Sequence, residues 1–300
     1  MTSTISLAPP RRLARAQPAD AASWLAGLPA LVGELLRRWE LTPERVAAPG
    51  GRTSMTVLVR SADGGPAALK ICAPAASAAL EEAALRRWDG HGAVRVLRAA
   101  PAEGALLLER VRGEMALRAP PDAKAMLAAV PAVRKLWVEP GEGHPFPSVA
   151  ERTGARAAGL RADSPPEARA LIDEALRLRA ELLAGSDEEL LLHGDFRQGA
   201  VLASDAERAP WLAVGPEPVV GERAYDLARL VPDRLPDLVA APGAAALARR
   251  RVARLADAVD VDQERLRAWA LVRAVESGVA DLGAGRRADG EMLLEFASWL

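Results

Sequence analysis

Leu191-Leu192-His193-Gly194-Asp195-Phe196-Arg197-Gln198-Gly199-Ala200-Val201-Leu202 is the stretch on which the reading of this chain turns. An apolar strand runs into His-Gly-Asp, an interval of five residues follows, and Val-Leu opens the next strand. An aspartate after His-Gly can be a mere turn residue, so its weight comes from its surroundings. Downstream stand Trp211-Leu212-Ala213-Val214-Gly215-Pro216 and then Tyr225-Asp226-Leu227-Ala228.

Outward from that stretch, the first third reads as mixed sheet and helix. Leu31–Leu41 has a helical pattern. Ser54–Arg60 is rich in β-branched residues, and Ala62–Pro66 is turn chemistry. Ala67–Cys72 makes the second arm of a hairpin. Ala75–Trp88 reads as a helix closed by Asp89-Gly90, and Val94–Arg98 and Ala105–Glu109 as two further strands. After Gly113 the pattern turns helical at Pro121–Trp137, Ser148–Leu160, Pro166–Leu183, Ala244–Val259, Asp262–Val279 and Gly290–Leu300. Between these lies one compact β-rich segment, Glu189–Val214. The expected fold class is α+β, with a small β-rich lobe over residues 1–110 and a larger helical lobe over 111–300. An architecture of that kind has a cleft where ligands usually sit.

Composition narrows the field. The chain has 300 residues, 39 basic against 40 acidic side chains and a net charge of -1. That balance excludes a broad basic surface for nucleic acid. The single cysteine, Cys72, excludes an intramolecular disulfide and a Cys-rich metal site. No apolar run approaches the ~20 residues that span a bilayer, and Ala21–Gly33 passes straight into an amphipathic pattern, so it reads as folded protein. A cytoplasmic location is expected. Only three of the 39 basic residues are lysines, Lys70, Lys124 and Lys135. In so arginine-rich a chain, a lysine kept in an apolar strand points to a role that arginine cannot fill.

These stretches together resemble the aminoglycoside phosphotransferase family, and within it the branch of streptomycin and hydroxyurea-resistance kinases. Leu25–Leu41, Lys70, the Glu81–Gly90 helix, Leu106–Arg110, Leu136-Trp137 with Pro145-Phe146-Pro147, and Trp269–Ser277 occur in the family's order. The resemblance covers nearly the whole chain. It implies a protein-kinase-like two-lobe fold, ATP as cofactor (working or vestigial), and transfer of a phosphoryl group to a small-molecule hydroxyl. It implies Lys70 as the strand lysine on the nucleotide phosphates, paired with Glu81, whose neighbour Glu82 is the rival. It places Gly50 and Gly51 in the phosphate-covering loop, although Gly-Gly before a strand is also just a turn. Glu109 and Val111 fall at the hinge that meets adenine through backbone groups. Asp195 falls at the catalytic aspartate that accepts the acceptor's proton. His193 and Asp226 fall at structural supports of that loop.

Two departures oppose this assignment. The family pattern has asparagine five residues after the aspartate and another aspartate at the end of the next strand, and these hold Mg²⁺. Here the positions carry Ala200 and Gly215, with no side-chain oxygen, so the metal loses its protein ligands. A histidine of the pattern is replaced by Arg197. Arg197 and Glu217 are possible compensating charges. Losing one charge-stabilising group commonly costs ~10²–10³ in rate. The sequence therefore supports two functions: a phosphotransferase, impaired or active, and a pseudokinase that binds a nucleotide, small molecule or protein partner without turnover. A polycationic acceptor would need carboxylates, for which Glu217, Glu222, Asp226, Asp233 and Glu276 are candidates.

Overall fold

The computed structural model describes residues 5–160 and 166–300. In chain order, helices α1 (Arg11–Ala16) and α2 (Ala22–Arg38) precede strands β1 (Thr42–Val46), β2 (Ser54–Arg60) and β3 (Pro66–Cys72). Helix α3 (Ala78–Trp88) and strands β4 (Val96–Ala100), β5 (Ala105–Glu109) and β6 (Arg112–Ala116) follow. Next come helices α4 (Asp122–Arg134), α5 (Val149–Leu160) and α6 (Arg169–Ala184), then strands β7 (Leu190–Leu192), β8 (Val201–Ala203), β9 (Trp211–Ala213) and β10 (Val219–Gly221). The chain ends in helices α7 (Arg223–Leu227), α8 (Leu235–Val239), α9 (Ala244–Val259), α10 (Gln263–Gly283) and α11 (Arg287–Ser298). Two compact units result: Met1–Met115 with Leu202–Glu217, and Ala116–Val201 with Pro218–Leu300.

The first unit is built on a five-stranded sheet of order β1-β2-β3-β5-β4. The β2–β3 hairpin pairs Ser54 with Cys72 through to Arg60 with Pro66. Its turn is fixed by Ser61 N–H donating to Gly65 O at 2.9 Å and by Asp63 accepting from Gly65 N–H at 3.0 Å. Met55, Val57 and Val59 alternate onto one face and are fully buried. Leu28, Val32 and Leu35 of α2, spaced four and three apart, cover that face. Burying each such side chain stabilises by ~1.5–3 kcal/mol.

Two sequence expectations shift here. Strand β4 begins at Val96 and not at Val94, because Val94 N–H already donates to Ala213 O at 3.1 Å. Strand β1, Thr-Pro-Glu-Arg-Val, escapes the pattern because it is a half-exposed edge strand without apolar alternation.

The second unit is organised by α10, whose Trp269, Leu271, Val272, Val275 and Val279 are buried. Helices α6, α7, α9 and α11 pack around it. Asp262 caps α10 by accepting from Arg265 N–H at 2.8 Å. Trp269 Nε1 donates to buried Glu222 at 2.7 Å, and the Tyr225 ring meets Trp269 edge-on at 5.0 Å. The short antiparallel pair β7–β10 aligns Leu190 with Gly221 and Leu192 with Val219. Gly221 is needed for this packing, since a Cβ there would lie 2.5 Å from Val149 Cγ2 of α5.

Candidate functional site

In the first unit, β3 carries Lys70 on the sheet and α3 carries Glu81 against it. Ser77 caps α3 by accepting from Leu80 N–H at 3.2 Å, which fixes the first turn and buries Glu81. Lys70 Nζ lies 2.6 Å from both carboxylate oxygens of Glu81. Glu82, the rival, is turned away from Lys70 to Arg86, from which it accepts at 2.8 Å. Burial works against the Lys70 charge, but the Glu81 carboxylate outweighs it and holds the ammonium above its ordinary pKa. Cys72 Sγ also contacts Glu81, at 3.6 Å, and burial pushes its thiol up to about 12, far from reactivity. Glu217 adds a further attraction on Lys70. Gly215 sits at the same end of the sheet with φ +64°, and a Cβ built on it would stand 3.8 Å from Lys70 Nζ.

Two nucleotide-side expectations change in detail. Gly50, at φ +75°, is demanded by local packing, since a Cβ there would lie 3.1 Å from Pro10 Cγ and 3.2 Å from Ala47 O. Gly51 has ordinary room, its nearest neighbour being Ser54 at 3.5 Å. Glu109 is committed elsewhere: its N–H donates to Arg95 O at 2.9 Å and its carboxylate takes both Arg208 Nη groups. Its N–H is thus occupied, so a hinge contact from Glu109–Val111 would have to use other backbone groups of that segment.

In the second unit, the loop after β7 is held by a buried scaffold. Asp226 Oδ1 accepts from Gly194 N–H at 2.8 Å, and Oδ2 accepts from His193 N–H at 3.1 Å and Trp137 Nε1 at 3.2 Å. Arg273, stacked 4.1 Å over the Tyr225 ring, donates to Gly194 O at 2.7 Å and Tyr225 O at 3.1 Å. Buried His193 accepts from Asp195 N–H through Nδ1 at 3.3 Å.

Asp195 itself is clamped. Arg229 Nε and Nη2 reach Oδ1 at 2.9 and 2.8 Å, and Arg197 Nε reaches Oδ2 at 2.9 Å. Burial opposes the charge, yet Arg229 and Arg197 hold this carboxyl well below the usual carboxylate range. Asp233 is the contrasting acid. It accepts from Gln198 N–H at 2.5 Å, but burial pushes it up to about 6 against the pull of Arg197, Arg118 and Arg229.

Sequence reasoning named Arg197, gave no role to Trp137 or to Arg273 within Trp269–Ser277, and missed Arg229. Arg229 lies one helical turn after Asp226, but among thirty-six arginines that spacing carries no special signal.

The residues present do not fit a family-type Mg²⁺ site. Ala200 is buried at the end of the turn Gln198–Ala200, and neither it nor Gly215 has a side-chain oxygen to offer. Among the described residues no group of three or more His, Cys, Asp or Glu is arranged to hold a metal ion. Of the carboxylates a polycation could use, Glu222 is taken by Arg265 and Asp226 by the loop, while Glu276 meets Arg156 at 3.4 Å through Oε2 and keeps a buried Oε1 without a hydrogen bond.

A sheet unit with a buried Lys–Glu pair and a helical unit with a buttressed His-Gly-Asp loop define a protein-kinase-like fold. Solved structures agree. A choline/ethanolamine kinase family protein from Mesorhizobium loti superposes with a TM-score of 0.63 at 17% identity, covering 89% of this chain and 94% of its own. An aminoglycoside phosphotransferase in ternary complex with AMP-PNP and hygromycin B gives 0.63 at 15% identity, with 89% and 96% covered. Sequence comparison is more specific. The streptomycin 6-kinase of Streptomyces glaucescens is 35% identical over 92% of this chain and 90% of its own length. A hydroxyurea phosphotransferase of Kitasatospora aureofaciens is 37% identical over 90% of this chain and 76% of its own. Residues 38–285 match the family model for aminoglycoside/hydroxyurea antibiotic resistance kinases. The chain belongs to that family.

Proposed function

We propose that this chain is a family member that holds a nucleotide and a small molecule but has lost ordinary Mg²⁺-dependent phosphoryl transfer. ATP binding is supported by Lys70, which would meet the nucleotide phosphates while Glu81 keeps its ammonium oriented. The observation that carries the loss is the state of Asp195. A catalytic aspartate accepts the acceptor's proton, whereas here Arg229 and Arg197 both hold the carboxylate in its ionised form, which weakens it as a base. Ala200 and Gly215 remove the charge stabilisation that phosphoryl transfer depends on. Losing even one such group costs ~10²–10³ in rate.

An active phosphotransferase is the second reading. It is favoured by Glu217, two residues beyond Gly215, whose charge attracts Lys70. The deciding assay measures ATP consumption with streptomycin and with hydroxyurea, with Mg²⁺, Mn²⁺ or neither. Background rates are expected throughout, and the double variant Ala200→Asn plus Gly215→Asp is expected to stay low in turnover while Arg197 and Arg229 still hold Asp195. An aspartate tolerates the positive φ at position 215 better than most residues. Robust metal-dependent turnover by the unmodified chain, abolished by Asp195→Asn, overturns the proposal.

A further inference from the structure

The loop that carries Asp195 is surrounded by more positive than negative charge. Within the second unit, Arg118, Arg197, Arg229, Arg234, Arg251 and Arg273 gather around Asp122, Asp195 and Asp233. With Asp226 beneath the loop and Glu276 beside Arg273 counted as well, six guanidinium groups meet five carboxylates. Most are committed: Arg234 donates to Gln198 Oε1 at 2.8 Å, Arg251 to Asp122 at 2.7 Å, and Arg273 to Gly194 O. Arg229 grips Asp195 and also donates to Ser277 Oγ at 3.2 Å.

Two of the six keep donors to spare. Arg197 touches Asp195 through Nε alone, and its side chain is 42% exposed. Its Nη groups make no hydrogen bond to protein among the described residues, and neither does the Arg118 side chain. The two side chains converge beside Gly199, where a Cβ would lie 2.9 Å from Arg197 Nη1 and 3.4 Å from Arg118 Cδ. A side chain at position 199 would collide with Arg197 Nη1, so glycine is what lets the two arginine side chains close on this part of the loop. Asp233 attracts both arginines but is buried against Gln198 N–H and makes no hydrogen bond to either guanidinium group among the described residues. A fork of unsatisfied guanidinium donors in a net positive setting is matched by a tetrahedral oxyanion.

We propose that Arg197 and Arg118, beside Gly199, form a metal-independent binding site for a phosphate-type oxyanion on the Asp195 loop. The inference rests on the non-catalytic reading of this loop and names the ligand chemistry of the same site. The oxyanion is either the terminal phosphate of the nucleotide or the phosphate of a separate small molecule.

The test uses the full chain in EDTA, with inorganic phosphate titrated against chloride at matched ionic strength and thermal unfolding as readout. Phosphate is expected to raise the melting temperature in a saturable way. Arg197→Gln and, independently, Arg118→Gln are each expected to weaken half-saturation about tenfold or more. Arg287→Gln, an exposed arginine paired only with Glu291, serves as the control and leaves the titration unchanged. Arg118 is exposed, so its variant folds even if the Arg197 variant does not. Repeating the titration with ATP or ADP present separates the sources. Competition by ATP but not ADP assigns the site to the terminal phosphate, and binding of phosphate beside ATP assigns it to a second molecule. No phosphate effect beyond chloride, or equal effects in all variants, overturns the proposal. An inactive chain that ignores phosphate defeats this inference alone, whereas an active one defeats the function proposed above.

Discussion

At the scale of single residues, the buried charges dictate the behaviour to expect. Lys70 and Glu81 are 12% and 5% exposed, so neither tolerates loss of the other. Lys70→Met should cost ~3–5 kcal/mol by stranding a buried carboxylate. The double variant Lys70→Met plus Glu81→Gln should recover much of that loss in urea denaturation. A single variant no less stable than the double one contradicts this account.

Asp233 gives a pH dependence of known sign. Its carboxyl is raised to about 6 from 3.8, so the folded state binds more protons than the unfolded state between those values. Its contribution to stability is present below pH ~4 and is lost as pH rises through about 6, by no more than ~3 kcal/mol. Asp195 has the opposite sign: its stabilisation is present above the ordinary carboxylate range and persists into acid before it fades. Melting temperatures measured from pH 4 to 7 should decline less steeply in Asp233→Asn than in the unmodified chain. An unchanged slope contradicts the assignment.

At the scale of elements, the Asp195 loop is held from beneath by α7 and α10 through Asp226 and Arg273. Asp226→Ala should leave the His193 and Gly194 amides without their acceptor, at ~1–3 kcal/mol for each buried donor left unsatisfied. Hydrogen exchange should quicken at those two amides well before it does so in α10. Strand β10 against α5 offers a steric test. Gly221→Ala drives a methyl group to 2.5 Å from Val149 Cγ2, and overpacking of this kind costs ~1–3 kcal/mol. Val149→Ala in the same chain should return part of that stability, and a purely additive pair would count against the packing argument.

At the scale of the whole molecule, the separable question is binding against turnover. A ligand that binds only the folded state stabilises it by ~2.7 kcal/mol at a hundred times its Kd. ATP should therefore raise the melting temperature equally with Mg²⁺ and with EDTA, and Lys70→Ala should abolish the rise. A rise that requires the metal would point to ligands other than the residues at positions 200 and 215. No described helix is long and apolar enough to cross a membrane.

Much of this was legible in the residues themselves. The β2–β3 hairpin, α9 and the His-Gly-Asp loop follow from local pattern, because turn chemistry and apolar periodicity act over a few residues. The retained Lys70 and the missing oxygens at Ala200 and Gly215 are covalent facts that no packing can alter. What β1 and β4 would do was not local, since edge strands lack a buried alternation and Val94 was claimed by Ala213. The choice of Glu81 over Glu82 required the face of α3. The clamp on Asp195 required most of all the tertiary structure. Arg229 meets it from 34 residues away, and among thirty-six arginines only geometry decides which guanidinium groups reach a given carboxylate. The sequence by itself determined the family and the absence of side-chain oxygens at positions 200 and 215. The tertiary structure decided the state of the aspartate, because ion pairing depends on distance in space and not along the chain.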